Sequence, residues 1–106
     1  NYIKPHGYGI VRALVGHGVG HKVHEAPHVP NFTEAVQPDI DLVHGMCIAI
    51  EPMVALGSYE VETADDGWTV IMKDRTWSAH FEVTIAITKE GTEILTPLPA
   101  CPVVQH

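Results

Sequence analysis

The sequence predicts a strand-rich domain of the α+β class, or a portion of one, over its 106 residues. Apolar and polar residues alternate with a period of two rather than 3.6, which is the mark of half-buried strands. Gly and Pro interrupt the chain so often that no long helical stretch is left. Such a sheet needs a cover on one face, and the sequence offers no helix to supply it. The chain also opens at Asn1 rather than at a Met. Both features lead us to expect a piece of a larger domain.

Taken in order, residues 8–15 (YGIVRALV) read as a first strand, which Gly16, Gly18 and Gly20 end. Residues 24–45 read as a polar loop punctuated by Pro27, Pro30 and Pro38. Met46 to Ile50 is a second strand, closed by Pro52. Asp65-Asp66-Gly67 is a turn signal, with a strand over 68–72 behind it. Residues 78–88 form the longest strand, and Glu90-Gly91 turns the chain into a short strand over 93–95. The stretch 97–106 holds three prolines and reads as an extended tail.

Composition excludes several classes of partner. With 45% hydrophobic and 18% charged residues the chain is of ordinary globular make-up. A formal charge of -7 and six scattered basic residues argue against nucleic acid or an anionic membrane surface. No apolar run is long enough to span a bilayer. Cys47 and Cys101 fit no disulfide framework and read as free thiols of a reducing compartment, so the cytoplasm is the expected location. No signal or transit peptide is visible.

Eight histidines are many for this length. His17, His21, His24 and His28 carry the spacing of one helical face. Three glycines, each costing about 1 kcal/mol in a helix, and Pro27 at about 3 kcal/mol rule that helix out. On an extended chain His17 and His21 share one side while His24 and His28 point to the other, so the four do not form one site. His6, His21, His28, His44 and His106 read as solvent-facing loop residues. His17 stands apart because its flanking glycines clear space around the imidazole. Glu51 ends the apolar strand Met46-Cys47-Ile48-Ala49-Ile50, with Pro52 fixing the exit of the chain. Glu82 lies inside the strand that carries Phe81, Val83, Ile85 and Ile87, on the side of His80, Thr84 and Ala86. A carboxylate in so apolar a strand is costly unless solvated, paired or bound to a metal. One His and two Glu on separate strands suit Zn, Mn, Fe or Co.

These residues resemble a known family. Gly16-His17-Gly18-Val19-Gly20, Val23-His24-Glu25-Ala26-Pro27 and Ile50-Glu51-Pro52-Met53 are similar to the C-terminal half of methionine aminopeptidases. Asp66-Gly67-Trp68-Thr69-Val70, Lys73-Asp74-Arg75 and Ser78-Ala79-His80-Phe81-Glu82 resemble the type I branch in particular. The likeness runs over residues 7–96, in order and spacing. It implies the strand-rich half of a pita-bread fold, with residues 1–96 as the C-terminal portion of a catalytic domain and 97–106 as a tail. It implies two divalent metal ions (Co, Mn, Fe or Zn), with His17, Glu51 and Glu82 among the ligands and Glu82 bridging. Two Asp ligands and a further His of the family's first half have no counterpart here. His24 matches a substrate-contacting His, and Trp68 a wall of the pocket for the methionine side chain. The sequence departs from the family at Val83, Ala26, Val23 and Val43-His44-Gly45, none of them a ligand position.

The function so implied is metal-assisted hydrolysis that removes an N-terminal methionine. Peptides and nascent chains are the substrates, the ribosome a further partner, and the complete enzyme a monomer. Glu51 would take the water proton and His24 would stabilise the developing oxyanion. Neither cysteine sits in a motif that activates a nucleophile. The isolated chain is expected to be inactive. Two other readings remain: a peptide-binding or scaffold fragment without catalysis, and a generic metal binder built on His21 and His28.

Overall fold

The computed structural model describes residues 1–33 and 39–98. Among them are one 3-10 turn, Lys4–His6, and ten strands. The strands are β1 (Gly9–Ile10), β2 (Gly16–Gly18), β3 (Glu25–Val29), β4 (Cys47–Ile50), β5 (Met53–Ala55), β6 (Val61–Thr63), β7 (Val70–Met72), β8 (Ser78–His80), β9 (Val83–Thr88) and β10 (Gly91–Ile94). They form a five-stranded sheet in the order β10-β9-β4-β2-β3, a three-stranded sheet β1-β5-β8, and the hairpin β6-β7. Every pairing is antiparallel. The strand-rich expectation holds, and no α-helix occurs among the described residues.

Two strand pairs pass from one sheet into the next side by side. In the larger sheet Ile50 pairs with Val83, and in the smaller one Met53 pairs with His80. The register is the same on both sides of this corner, so Glu51 stands opposite Glu82 and Pro52 opposite Phe81. Pro52 has no N–H to give to a ladder, which breaks regular pairing there. Its carbonyl still accepts the Phe81 N–H at 3.1 Å and keeps the two chains together through the bend. The expected continuous strand over 78–88 is therefore two strands. Glu82 lies at the break rather than inside a strand, and Phe81 is exposed instead of facing a core.

Three other expectations change. Residues 8–15 are not one strand, since only Gly9–Ile10 pairs, and Gly16 and Gly18, two of the three glycines thought to end it, belong to β2 instead. The loop expected over 24–45 contains β3, because Ala26, Pro27 and their neighbours return antiparallel along β2. β5 and β6, three residues each, went unseen because stretches so short carry no periodicity. Pro38 and Cys101 lie outside the described residues, as does most of the expected tail.

Gly16 and Gly18 belong to β2 for lack of space rather than for an unusual dihedral. A Cβ on Gly16 would collide with the Ala49 carbonyl, and one on Gly18 with the Ala26 carbonyl. This close approach seats β2 between β3 and β4, and it sets His17 opposite Ala49.

The hydrophobic core is small. Val11, Ala55 and Met72 are buried together, with Met53 and Val61 packed against them. The Val11 N–H donates to the Met53 carbonyl at 3.0 Å, tying the chain after β1 to β5. Full burial of a Val of this kind stabilises by about 1.5–3 kcal/mol. Ile48, Ala49 and Ile85 are buried in the five-stranded sheet. Leu56, Trp77 and Phe81 remain largely exposed. No helix among the described residues is long and apolar enough to cross a membrane.

Two carboxylates hold the loops around the hairpin. Asp66 accepts from the backbone N–H groups of Trp68 and Thr69 and from the Thr69 hydroxyl. Asp74 accepts from the Thr76 hydroxyl at 2.7 Å, the Ser58 N–H at 2.8 Å and the Thr76 N–H at 3.1 Å. The Thr69 hydroxyl bond first, then the backbone donors, lower the Asp66 pKa, and the Thr76 hydroxyl leads the same effect at Asp74. A carboxyl with a lowered folded-state pKa contributes stability that is complete above its ordinary value and fades as pH falls through the lowered one. We therefore expect Asp74→Asn to lower the melting temperature at pH 7. The difference from wild type should close as pH drops below the ordinary aspartate value of 3.8. Thermal melts of both proteins across that range check it. Gly18→Ala should cost about 1–3 kcal/mol or more through overpacking against backbone, read as a loss of strand circular dichroism or a lowered denaturant midpoint.

Candidate metal centre

The corner between the two sheets gathers the chemistry. Glu51 is the residue after β4, and Glu82 the one before β9. His17 is brought beside them by β2, which pairs with β4. One ligand atom each from His17, Glu51 and Glu82 lies within 4.8 Å of the others. His17 and Glu51 are largely enclosed, each side chain 13% exposed, while Glu82 faces solvent.

The hydrogen bonds define which atoms point inward. His17 Nδ1 lies 2.9 Å from the Gly18 carbonyl oxygen, which can only accept, so Nδ1 carries the proton. In the neutral ring Nε2 then holds a lone pair, and it lies 3.2 Å from Glu51 Oε1. Lone pairs so placed repel, and either a proton on Nε2 or a divalent cation bound by both atoms relieves the repulsion. A tetrahedral or octahedral ion with arms of about 2.0–2.1 Å separates adjacent ligand atoms by about 2.9–3.4 Å. A ligating His that gives its other N–H to a backbone carbonyl is also the usual way such a ring is fixed. The donor set therefore fits a divalent metal.

The other oxygen of Glu51, Oε2, lies 3.2 Å from His80 Nε2. Asn31 donates from Nδ2 to the Glu51 carbonyl at 3.3 Å and fastens the chain after β3 to the corner. The His24 ring lies 4.1 Å, centroid to centroid, from that of His17. The expectation that these two rings point apart is corrected. It treated residues 17–28 as one extended strand, whereas the chain reverses after Gly18 and the register between β2 and β3 shifts there.

A cavity of about 480 Å³ opens from this corner. His17, His24, Glu51 and His80 form its polar end, and Val11, Leu14, Met53, Val61, Val70 and Met72 line the apolar remainder. Trp68 is not brought to it. It is 87% exposed in the connection between β6 and β7. His21 and His28 line other depressions, His21 near Cys47 and His28 near Ile48. The sequence reading does not single out His80. The available signal was its position two residues before Glu82 on the same face.

The strand-rich fold and a cluster able to hold a metal ion suit a metallopeptidase, and the chain belongs to metallopeptidase family M24, whose family model matches residues 1–89. Within that family it is 54% identical over 95 residues to the methionine aminopeptidase of Clostridium perfringens, a match covering 90% of this chain and 38% of the relative. It is 50% identical over 95 residues to that of Clostridium acetobutylicum, with the same two coverages. The solved methionine aminopeptidase of Thermotoga maritima superposes with a TM-score of 0.81 at 44% identity, over 88% of this chain and 37% of that one. The Rickettsia prowazekii enzyme gives 0.80 at 39% identity, over 88% and 38%. The chain thus has the strand-rich architecture of the pita-bread fold and spans under two-fifths of the length of these relatives.

If His17 rather than a generic histidine surface takes the ion, Co²⁺ added to the chain should shift or broaden the His17 ring signals first. A response at His21 and His28 without one at His17 would establish the generic binder instead. Histidine-resolved NMR during the titration separates them.

Proposed function

We propose that this chain is the C-terminal portion, over residues 1–96, of a type I methionine aminopeptidase that removes N-terminal methionine from peptides and nascent proteins. The observation that carries the reading is His17 Nε2 at 3.2 Å from Glu51 Oε1, with Glu82 alongside, at the polar end of an apolar cavity. The relatives that bear the same name support the substrate class.

His17, Glu51 and Glu82 would hold the divalent metal. Co, Mn, Fe and Zn all suit this mixed nitrogen and oxygen set. When bound, such ions supply Lewis acidity and lower the pKa of water from 15.7 to about 7. Glu51 would accept the water's proton as the water oxygen bonds to the first peptide carbonyl, and would return it to the amine nitrogen as the C–N bond breaks. His24, ring to ring with His17, donates an N–H to the oxygen on which negative charge develops. The apolar walls from Val11, Met53 and Met72 exclude water around the scissile bond and strengthen these polar contacts. Trp68 lies away from the cavity in this chain, so its role as a wall of the methionine pocket rests on the family resemblance alone. A cytoplasmic location agrees with the free thiol of Cys47, and we propose a monomer working on chains that leave the ribosome.

The two Asp ligands that complete the family's site are not among these residues, so the 106-residue chain alone should show no turnover of Met-Ala-Ser. In a complete enzyme carrying this chain, His24→Ala should lower kcat by about 10²–10³-fold, the usual loss for an oxyanion donor. Glu82→Gln should abolish detectable cleavage. Unchanged function in Glu82→Gln would show a scaffold rather than a peptidase.

A further inference from the structure

His80 has no role in the reading above, yet it makes one of the two histidine contacts at the carboxylate of Glu51. Glu51 is held at both oxygens: Oε1 lies 3.2 Å from His17 Nε2 and Oε2 lies 3.2 Å from His80 Nε2. The two contacts differ in kind. His17 turns a lone pair toward Oε1, because its proton is engaged on the far side of the ring by the Gly18 carbonyl. The His80 contact carries no such constraint, and a carboxylate oxygen can only accept. His80 therefore meets Oε2 with an Nε2–H.

We propose that His80 is a positioning residue: by donating Nε2–H to Glu51 Oε2 it fixes the carboxylate so that Oε1 is the oxygen turned toward His17. Without that bond the carboxylate, on a side chain with three rotatable torsions, turns freely and offers either oxygen in many directions. The backbone makes the arrangement rigid. His80 is the last residue of β8 and pairs with Met53 of β5, two residues beyond Glu51. Donor and acceptor thus sit on adjacent strands of one bent ribbon, and their separation is set by strand spacing rather than by a loop. Glu51 is enclosed while the His80 side chain is 46% exposed, so the clamp reaches the carboxylate from the open side of the cavity. Partners of this kind, which hold a ligand rather than the ion, govern affinity by about 10–100-fold.

The inference rests on the metal-centre reading, and the experiment separates the two. Co²⁺ dissociation constants are measured for the 106-residue chain and for His80→Ala, His80→Gln and Glu51→Gln, with circular dichroism confirming the fold. His80→Ala should bind about 10–100-fold more weakly, while His80→Gln, which keeps an N–H donor near the same place, should stay within about threefold of wild type. Glu51→Gln should bind most weakly. If Glu51→Gln binds as wild type does, the metal-centre reading fails and takes this inference with it. If Glu51→Gln loses the ion but His80→Ala does not, only the positioning role is overturned. Nitrogen-15 NMR of the metal-free chain gives a readout independent of any ion. The His80 ring should be protonated at Nε2 and should lose that bias in Glu51→Ala, and a ring protonated only at Nδ1 overturns the proposal.

Discussion

Everything at the site depends on one constraint: β4 and β9 leave their sheet together, at the same residue pair, and enter the next sheet still in register as β5 and β8. A proline on one strand and an aromatic residue on the other sit at the bend, and a single backbone hydrogen bond spans it. Because the pairing neither slips nor bulges, the two carboxylates are carried to the same corner from residues far apart in sequence. Two like charges so placed repel unless a cation or hydrogen-bond donors join them. His80 answers part of that demand with an N–H, while the nitrogen His17 turns toward Glu51 leaves room for a cation to supply the rest.

The surrounding elements serve the corner. β2 brings His17 into reach only because glycine on either side lets three backbones lie unusually close. Its hairpin with β3 folds His24 back over His17. On the other side the small core around Val11, Ala55 and Met72 anchors β5 and β7, and with them the apolar wall of the cavity. Stability and chemistry share these residues, since Met53 and Met72 both pack the core and line the cavity.

Much of this was legible in the sequence, and unevenly so. The strand-rich class followed from alternation and from the density of Gly and Pro. His17, Glu51 and Glu82 were recoverable one by one, from glycine flanks, a strand end before proline and a carboxylate among apolar residues. What alternation cannot report is where a long apolar run bends. Residues 78–88 look like one strand because period two persists through the break at Phe81-Glu82, and the break is visible only once β4 and its proline lie alongside. The pairing of His24 with His17 was hidden for a similar reason, as a chain reversal within eight residues defeats any periodicity counted along a single strand. His80 went unselected because its partner, Glu51, is remote in sequence.

The shared register also decides which kinds of change this half-site can survive. Substituting a residue at the bend alters one side chain and leaves the alignment of the two strands intact. Inserting or deleting a single residue between Cys47 and Ala55, or between Ser78 and Ala86, shifts one strand against the other and sends one carboxylate to the opposite face. The spacing of these two segments is therefore the heritable part of the site. It must be kept as an integer count.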